Sequence, residues 1–173
     1  MEYIALGVHK AYTPPRLRKW LGILDQKALG DKKKDLIPKY KLFQIEDHEN
    51  LVLTDIISHP CFMVSKKVID VIKLYAPSLH FDRITLTNQA TKEICIYYIP
   101  VLERLDVLTS NSRVANDKQT LKYIEIDGKK TKHKAIFQLE SNGKIYTIAK
   151  VDLIESLLRR KAVGIGLKEV TTI

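Results

Sequence analysis

Cysteine is scarce: Cys61 and Cys95 are the only two in 173 residues. Both fall in apolar, strand-like segments, where a thiol packs as a small hydrophobe, so a disulfide framework is excluded. Long hydrophobic runs are absent as well, which leaves no candidate for a transmembrane helix of about 20 residues. The start, Met1-Glu2-Tyr3, reaches Lys10 without a signal-like apolar stretch. The expectation is a cytoplasmic chain with no membrane partner.

Catalytic signatures are missing too. Ser65, Ser110 and Ser112 lack a nucleophile-elbow context, and Ser65 reads better as a helix cap. Gly164-Ile165-Gly166 precedes a strand, whereas a dinucleotide fingerprint opens a helix, so it serves the turn after the last helix. His59-Pro60-Cys61 with His80 and Cys95 fits no zinc spacing. The carboxylates Glu46, Asp47 and Glu49, or Glu103 and Asp106, read as solvated surface. No enzyme activity, cofactor or metal is expected.

What is present is an ordinary globular composition, 45% hydrophobic and 28% charged, in a length that suits a single domain over residues 1–173. The net charge of +9 is uneven: residues 1–41 hold ten Lys/Arg against four Asp/Glu, two thirds of the excess. Such asymmetry speaks of partners and not of fold.

Tyr3 to Val8 reads as a strand. Thr13-Pro14-Pro15 then predicts the start of an amphipathic helix with Leu17, Trp20, Leu21, Leu24 and Ala28 inward and Arg16, Arg18 and Lys19 largely outward. Residues 27–41 form a lysine-rich loop, which completes a basic subregion over 1–50 ahead of an α+β core over 51–173. Ser65 caps a second predicted helix with Val68, Ile69, Ile72 and Tyr75 inward. The unbroken apolar run Ile94 to Ile99 predicts a strand covered on both faces, at the centre of the sheet.

Asp127-Gly128 and Asn142-Gly143 are two-residue hairpin signals and predict a three-stranded antiparallel meander through residues 121–148. Val151, Ile154, Leu157 and Leu158 mark a last helix, with acids early and Arg159, Arg160 and Lys161 late. Segments 62–87 and 145–170 share the order strand, helix, strand. The expected fold is therefore α+β, a mixed and mostly antiparallel sheet with two strand-helix-strand units and a meander.

Several stretches resemble a family of bacterial immunity proteins of polymorphic toxin systems. They are Asp55-Ile56-Ile57-Ser58-His59-Pro60 leading to Phe62-Met63-Val64-Ser65-Lys66-Lys67, then Tyr97-Tyr98-Ile99-Pro100-Val101-Leu102 with Leu105-Asp106-Val107. Ala135-Ile136-Phe137, Ile145-Tyr146-Thr147-Ile148 and Val163-Gly164-Ile165-Gly166-Leu167 continue the pattern, which spans the C-terminal two thirds. The resemblance implies a cytoplasmic, non-enzymatic protein that binds and neutralises a cognate toxin, and it assigns no binding residues.

The basic charge adds an expectation of its own: a partner toxin with an acidic surface, met by Arg16, Arg18, Lys19, Lys32, Lys33 and Lys34. The alternative is a nucleic-acid-binding module, for which the lysine runs 32–34 and 129–134 are the motive.

Overall fold

The computed structural model describes residues 2–21, 23–24 and 41–173. Lys32, Lys33 and Lys34, and most of the expected lysine-rich loop, lie outside the described residues.

A five-stranded sheet is built from β2 (Lys41–Gln44), β3 (Ile56–Ile57), β4 (Met63–Val64), β5 (Phe81–Thr87) and β6 (Ile94–Pro100), in the order β2-β5-β6-β4-β3. A four-stranded sheet takes β1 (Tyr3–Val8), β10 (Ile136–Ser141), β11 (Lys144–Lys150) and β12 (Ile165–Glu169), in the order β10-β11-β1-β12. Short pairs complete the strands: β7 (Arg113–Val114) with β8 (Leu121–Tyr123), and β9 (Glu125–Ile126) with β13 (Thr171–Thr172). The α+β class follows directly.

The two strand-helix-strand units share one plan. Helix α1 (Lys66–Tyr75) links β4 to β5, and helix α2 (Val151–Arg159) links β11 to β12. In each unit the two linked strands are parallel and hold between them one antiparallel strand from elsewhere in the chain, β6 in the first and β1 in the second. A hairpin partner flanks the first strand of each unit, β3 on β4 and β10 on β11. Outside the last strand lies a parallel one: β2 along β5, and β9 along β13, which continues β12 beyond Val170.

Local chemistry explains both helices. The Ser65 hydroxyl caps α1 by accepting from the Val68 amide, while Val68, Ile69, Val71 and Ile72 are buried. In α2 the buried stripe is Leu153, Ile154 and Leu157, so Leu153 takes the inward place predicted for Leu158, which is exposed. The sheet fixes which stripe turns inward. The helices meet where the Tyr75 hydroxyl lies 2.6 Å from that of Ser156 and donates to the Asp152 carbonyl at 3.0 Å. Their stripes share one core with Leu6, Ile56, Val64, Ile136 and Ala149.

Each sheet has a second core on its far side. Tyr3, Ala5, Phe137 and Ile148 pack against Leu105, Val107, Ile124, Ile126 and Val170. Phe43, Ile45, Ile84, Leu86, Tyr97 and Ile99 pack against Leu17, Leu24 and Cys61. Strand β1 is therefore apolar on both faces because both are covered.

Two larger expectations about the elements themselves also fail, each for a physical reason. Residues 13–21 contain no helix, and positions 22 and 25–28 of the expected helix, Ala28 among them, lie outside the described residues. Leu17 instead bridges to Ile45, Lys19 adopts a left-handed φ of 51°, and Leu21 is 79% exposed. The tertiary pairing of Leu17 outweighs the helical spacing, and the proposed inward face is split.

The meander is reduced to its second hairpin. Asn142 and Gly143 do turn β10 into β11 with φ values of 50° and 77°. Asp127 instead caps a 3-10 turn, Gly128–Thr131, by accepting from the Lys129 amide at 3.0 Å. Here the C-terminus dictates the path: the Gly128 amide donates to the Ile173 carbonyl, and a Cβ at Gly128 would sit 2.9 Å from Thr172 Cγ2. Glycine at this place serves close approach.

Candidate interaction surface

The five-stranded sheet presents one covered face and one that α1 covers only in part. Cross-strand partners share a face, so the register can be read as rows. Leu42, Thr85 and Ile96 form one row, and Gln44, Thr87 and Ile94 the next. Further along, Arg83 lies opposite Tyr98, where α1 begins to cover the sheet. Beyond that cover Leu42 is 67% exposed, Ile94 69% and Ile96 40%.

Arg16 and Arg18 are positioned by the segment that replaced the expected helix. The Arg18 amide donates to the Gln44 carbonyl at 2.7 Å, and the Glu46 amide donates to the Arg16 carbonyl at 2.8 Å. Leu17 and Ile45 between them are buried in the core on the covered face. Strand alternation then places Arg16 and Arg18 on the open face, in line with the row of Gln44, Thr87 and Ile94. Lys19 is exposed where the chain turns toward Trp20.

Acidic residues join this edge. Glu46 stands beside Arg16 in the pairing, and Glu46, Asp47 and Glu49 are all exposed. The rim thus alternates in sign. What the arrangement offers is an aliphatic centre, hydroxyls at Thr85 and Thr87, and guanidinium groups at one edge, a composition suited to protein interfaces.

The covered face is tied to the segment before β3. The Tyr97 hydroxyl donates to the Thr54 carbonyl at 2.7 Å, and burial pushes its pKa upward, which keeps it neutral. Burial, then the nearby Glu93 carboxylate, raises the Cys95 thiol. Neither group reaches the open side.

The other sequence candidates are dispersed. Ser65 gives its hydroxyl to Asp55 at 2.6 Å, and the Ser112 hydroxyl bonds the backbone of Glu125 in both directions at 3.0 Å. Glu103 pairs with Lys134 at 2.7 Å and Lys132 at 3.1 Å, and these ammonium groups hold its carboxyl below the usual range. His59 stacks edge-on against Trp20 at 4.9 Å, and His80 lies 3.5 Å from Asp82. Among the described residues no three His, Cys, Asp or Glu side chains are grouped to hold a metal.

Sequence reasoning missed Ile94 and Ile96 as surface residues, because an unbroken apolar run reads as covered twice over, and it assigned Leu42 to no element. A signal was available in the neighbouring strand. Arg83, Thr85 and Thr87 alternate with buried Ile84 and Leu86, which marks one face of that sheet as wet.

No protein-family model matches the chain, and no curated protein matches it in sequence. No helix of the described residues is long and apolar enough to cross a membrane.

Proposed function

We propose that this chain is an immunity protein, a non-catalytic cytoplasmic binder that neutralises a cognate bacterial toxin through a protein-protein interface. The observation that carries the reading is the open sheet face, where Leu42, Ile94 and Ile96 lie uncovered beside Arg16 and Arg18. Aliphatic side chains beside arginine suit a desolvated interface centre with charged anchors. The resemblance of the segments from Asp55 onward to an immunity family supports the same reading. The net charge of +9 favours a toxin whose contact surface is acidic.

Nucleic-acid binding is the weaker reading. Sheets that take single strands stack bases on aromatic rings, and here isoleucine and leucine occupy those places. The test is co-expression of the chain with the C-terminal domain of the larger protein encoded next to it. Rescue of growth, lost on combining Ile94→Glu with Arg18→Glu, is the expected result. Failure to rescue sinks the proposal.

A further inference from the structure

The outer edge of β12 offers a second surface of different chemistry. The His9 amide donates to the Gly164 carbonyl at 2.9 Å, which sets the phase of the ladder between β1 and β12. Antiparallel bonding recurs at every second residue, so Gly166 and Lys168 turn their backbone groups toward β1. Ile165, Leu167 and Glu169 turn theirs outward, where none finds a backbone partner among the described residues. Beyond Val170 the same edge is occupied: the Thr171 amide donates to the Ile124 carbonyl, and β9 runs parallel to β13. The first sheet takes a parallel strand at the corresponding place, β2 on β5. Both halves of the protein thus show that this edge accepts a parallel strand, and the second half leaves residues 165–169 without a strand neighbour among the described residues.

A cavity of about 410 Å³ adjoins the bare edge. Gly7 and Gly166 face each other across the ladder and leave its floor low, and Tyr146 lines one side. Glycine is required at 166, since a Cβ there would meet the His9 amide nitrogen at 2.7 Å. The lining includes His9, Lys10 and Lys168 and no carboxylate. The Lys168 ammonium is aimed by a hydrogen bond to the Leu121 carbonyl, and neither lysine has a carboxylate partner among the described residues. Leu167, on the opposite face from Lys168, is 46% exposed.

We propose that the edge of β12 receives an extended segment of a partner protein, parallel to β12, in which acidic side chains face Lys10 and Lys168 and alternate with apolar ones that cover Leu167. The bare backbone groups call for peptide amides, and the cationic lining calls for carboxylates. A second copy of this chain is a poor occupant, because pairing through β12 would bring lysines together on a protein of net charge +9. The inference stands apart from the arginine-flanked face and does not depend on the toxin reading.

The probe is an acetylated, amidated seven-residue peptide of alternating glutamate and valine, titrated into the isotope-labelled protein and followed by amide resonances. Saturable shifts at Ile165, Leu167 and Glu169 are expected, with the glutamine counterpart at least about tenfold weaker. Leu167→Pro removes an outward N–H without touching the ladder to β1 and should abolish binding while the β1 and β11 resonances persist. Lys10→Glu, on an exposed turn, should weaken the glutamate peptide by a similar factor. Unchanged binding to Leu167→Pro, equal affinity for the glutamine peptide, or dimerisation through β12 without peptide overturns the proposal.

Discussion

The carboxylate of Asp55 accepts the hydroxyl of Ser65 at 2.6 Å, and through that contact the cap of α1 is tied to the turn after α2. The other Asp55 oxygen accepts the Val163 amide at 2.6 Å and the Lys67 ammonium at 3.1 Å. Its own backbone donates to the Val163 carbonyl and accepts from the Ser65 amide. One nearly buried residue thus clamps both strand-helix-strand units. Asp55→Ala leaves a half-buried amide and hydroxyl without acceptors and should cost about 2–4 kcal/mol in urea unfolding. Ser65→Ala removes a cap and should cost about 1 kcal/mol.

Acid should loosen the protein at two carboxylates. The Thr120 hydroxyl, then the Thr120 and Gln119 amides, lower Asp117 from 3.8 to about 2. The Thr109 hydroxyl at 2.6 Å and the Asn111 amide at 2.8 Å lower Glu125 below its ordinary 4.5. The folded state therefore binds fewer protons than the unfolded chain over this range. The stabilisation is complete above about pH 4.5 and fades as pH falls through the folded values toward about 2. Thermal melts at steps between pH 5 and pH 2 should show the decline, and Thr109→Val with Thr120→Val should flatten it.

Substitutions on the open face should separate binding from stability. Ile94→Glu at an exposed position should leave the unfolding free energy from urea titration within about 0.5 kcal/mol of the parent. Its expected effect is faster dissociation from the cognate toxin. Reversing charge at Arg16, Arg18 and Lys19 should slow association about tenfold at low salt and less at high salt. Stopped-flow mixing distinguishes the two.

Gly164 and Gly166 should not tolerate alanine. Gly164 has a φ of +80°, and a Cβ would meet Thr54 Cγ2 at 2.4 Å, while at Gly166 the obstacle is backbone. Each change should cost more than about 1 kcal/mol. Gly143→Ala, with no neighbour within 4 Å, should cost less despite its φ of +77°. Denaturant midpoints give the ranking.

Much of this architecture was legible wherever local chemistry and tertiary demand agree. Ser65 before Val68 and Ile69 marked a helix, Asn142-Gly143 marked a hairpin, and the run around Tyr97 marked the middle strand of its sheet. Where they disagree, the local signal misled. Leu17, Trp20, Leu21 and Leu24 are spaced for a helix, yet Leu17 gains more by burial against Ile45. Arg16 and Arg18 remained surface residues for a different reason than expected, namely strand alternation.

By itself the sequence determined the class of the chain: the helices α1 and α2, the hairpin at Asn142-Gly143, the uneven charge and the order strand, helix, strand in two places. These depend on neighbours within a few residues, where periodicity, capping and turn preference act. Only the tertiary structure decided that β6 and β1 insert between the parallel strands of each unit and that Asp55 clamps the two. It also decided that Ile94 and Ile96 stay uncovered while Ile4 and Leu6 do not. Such choices depend on which distant segment arrives to cover a face, and an apolar strand reads the same whether one face is covered or both.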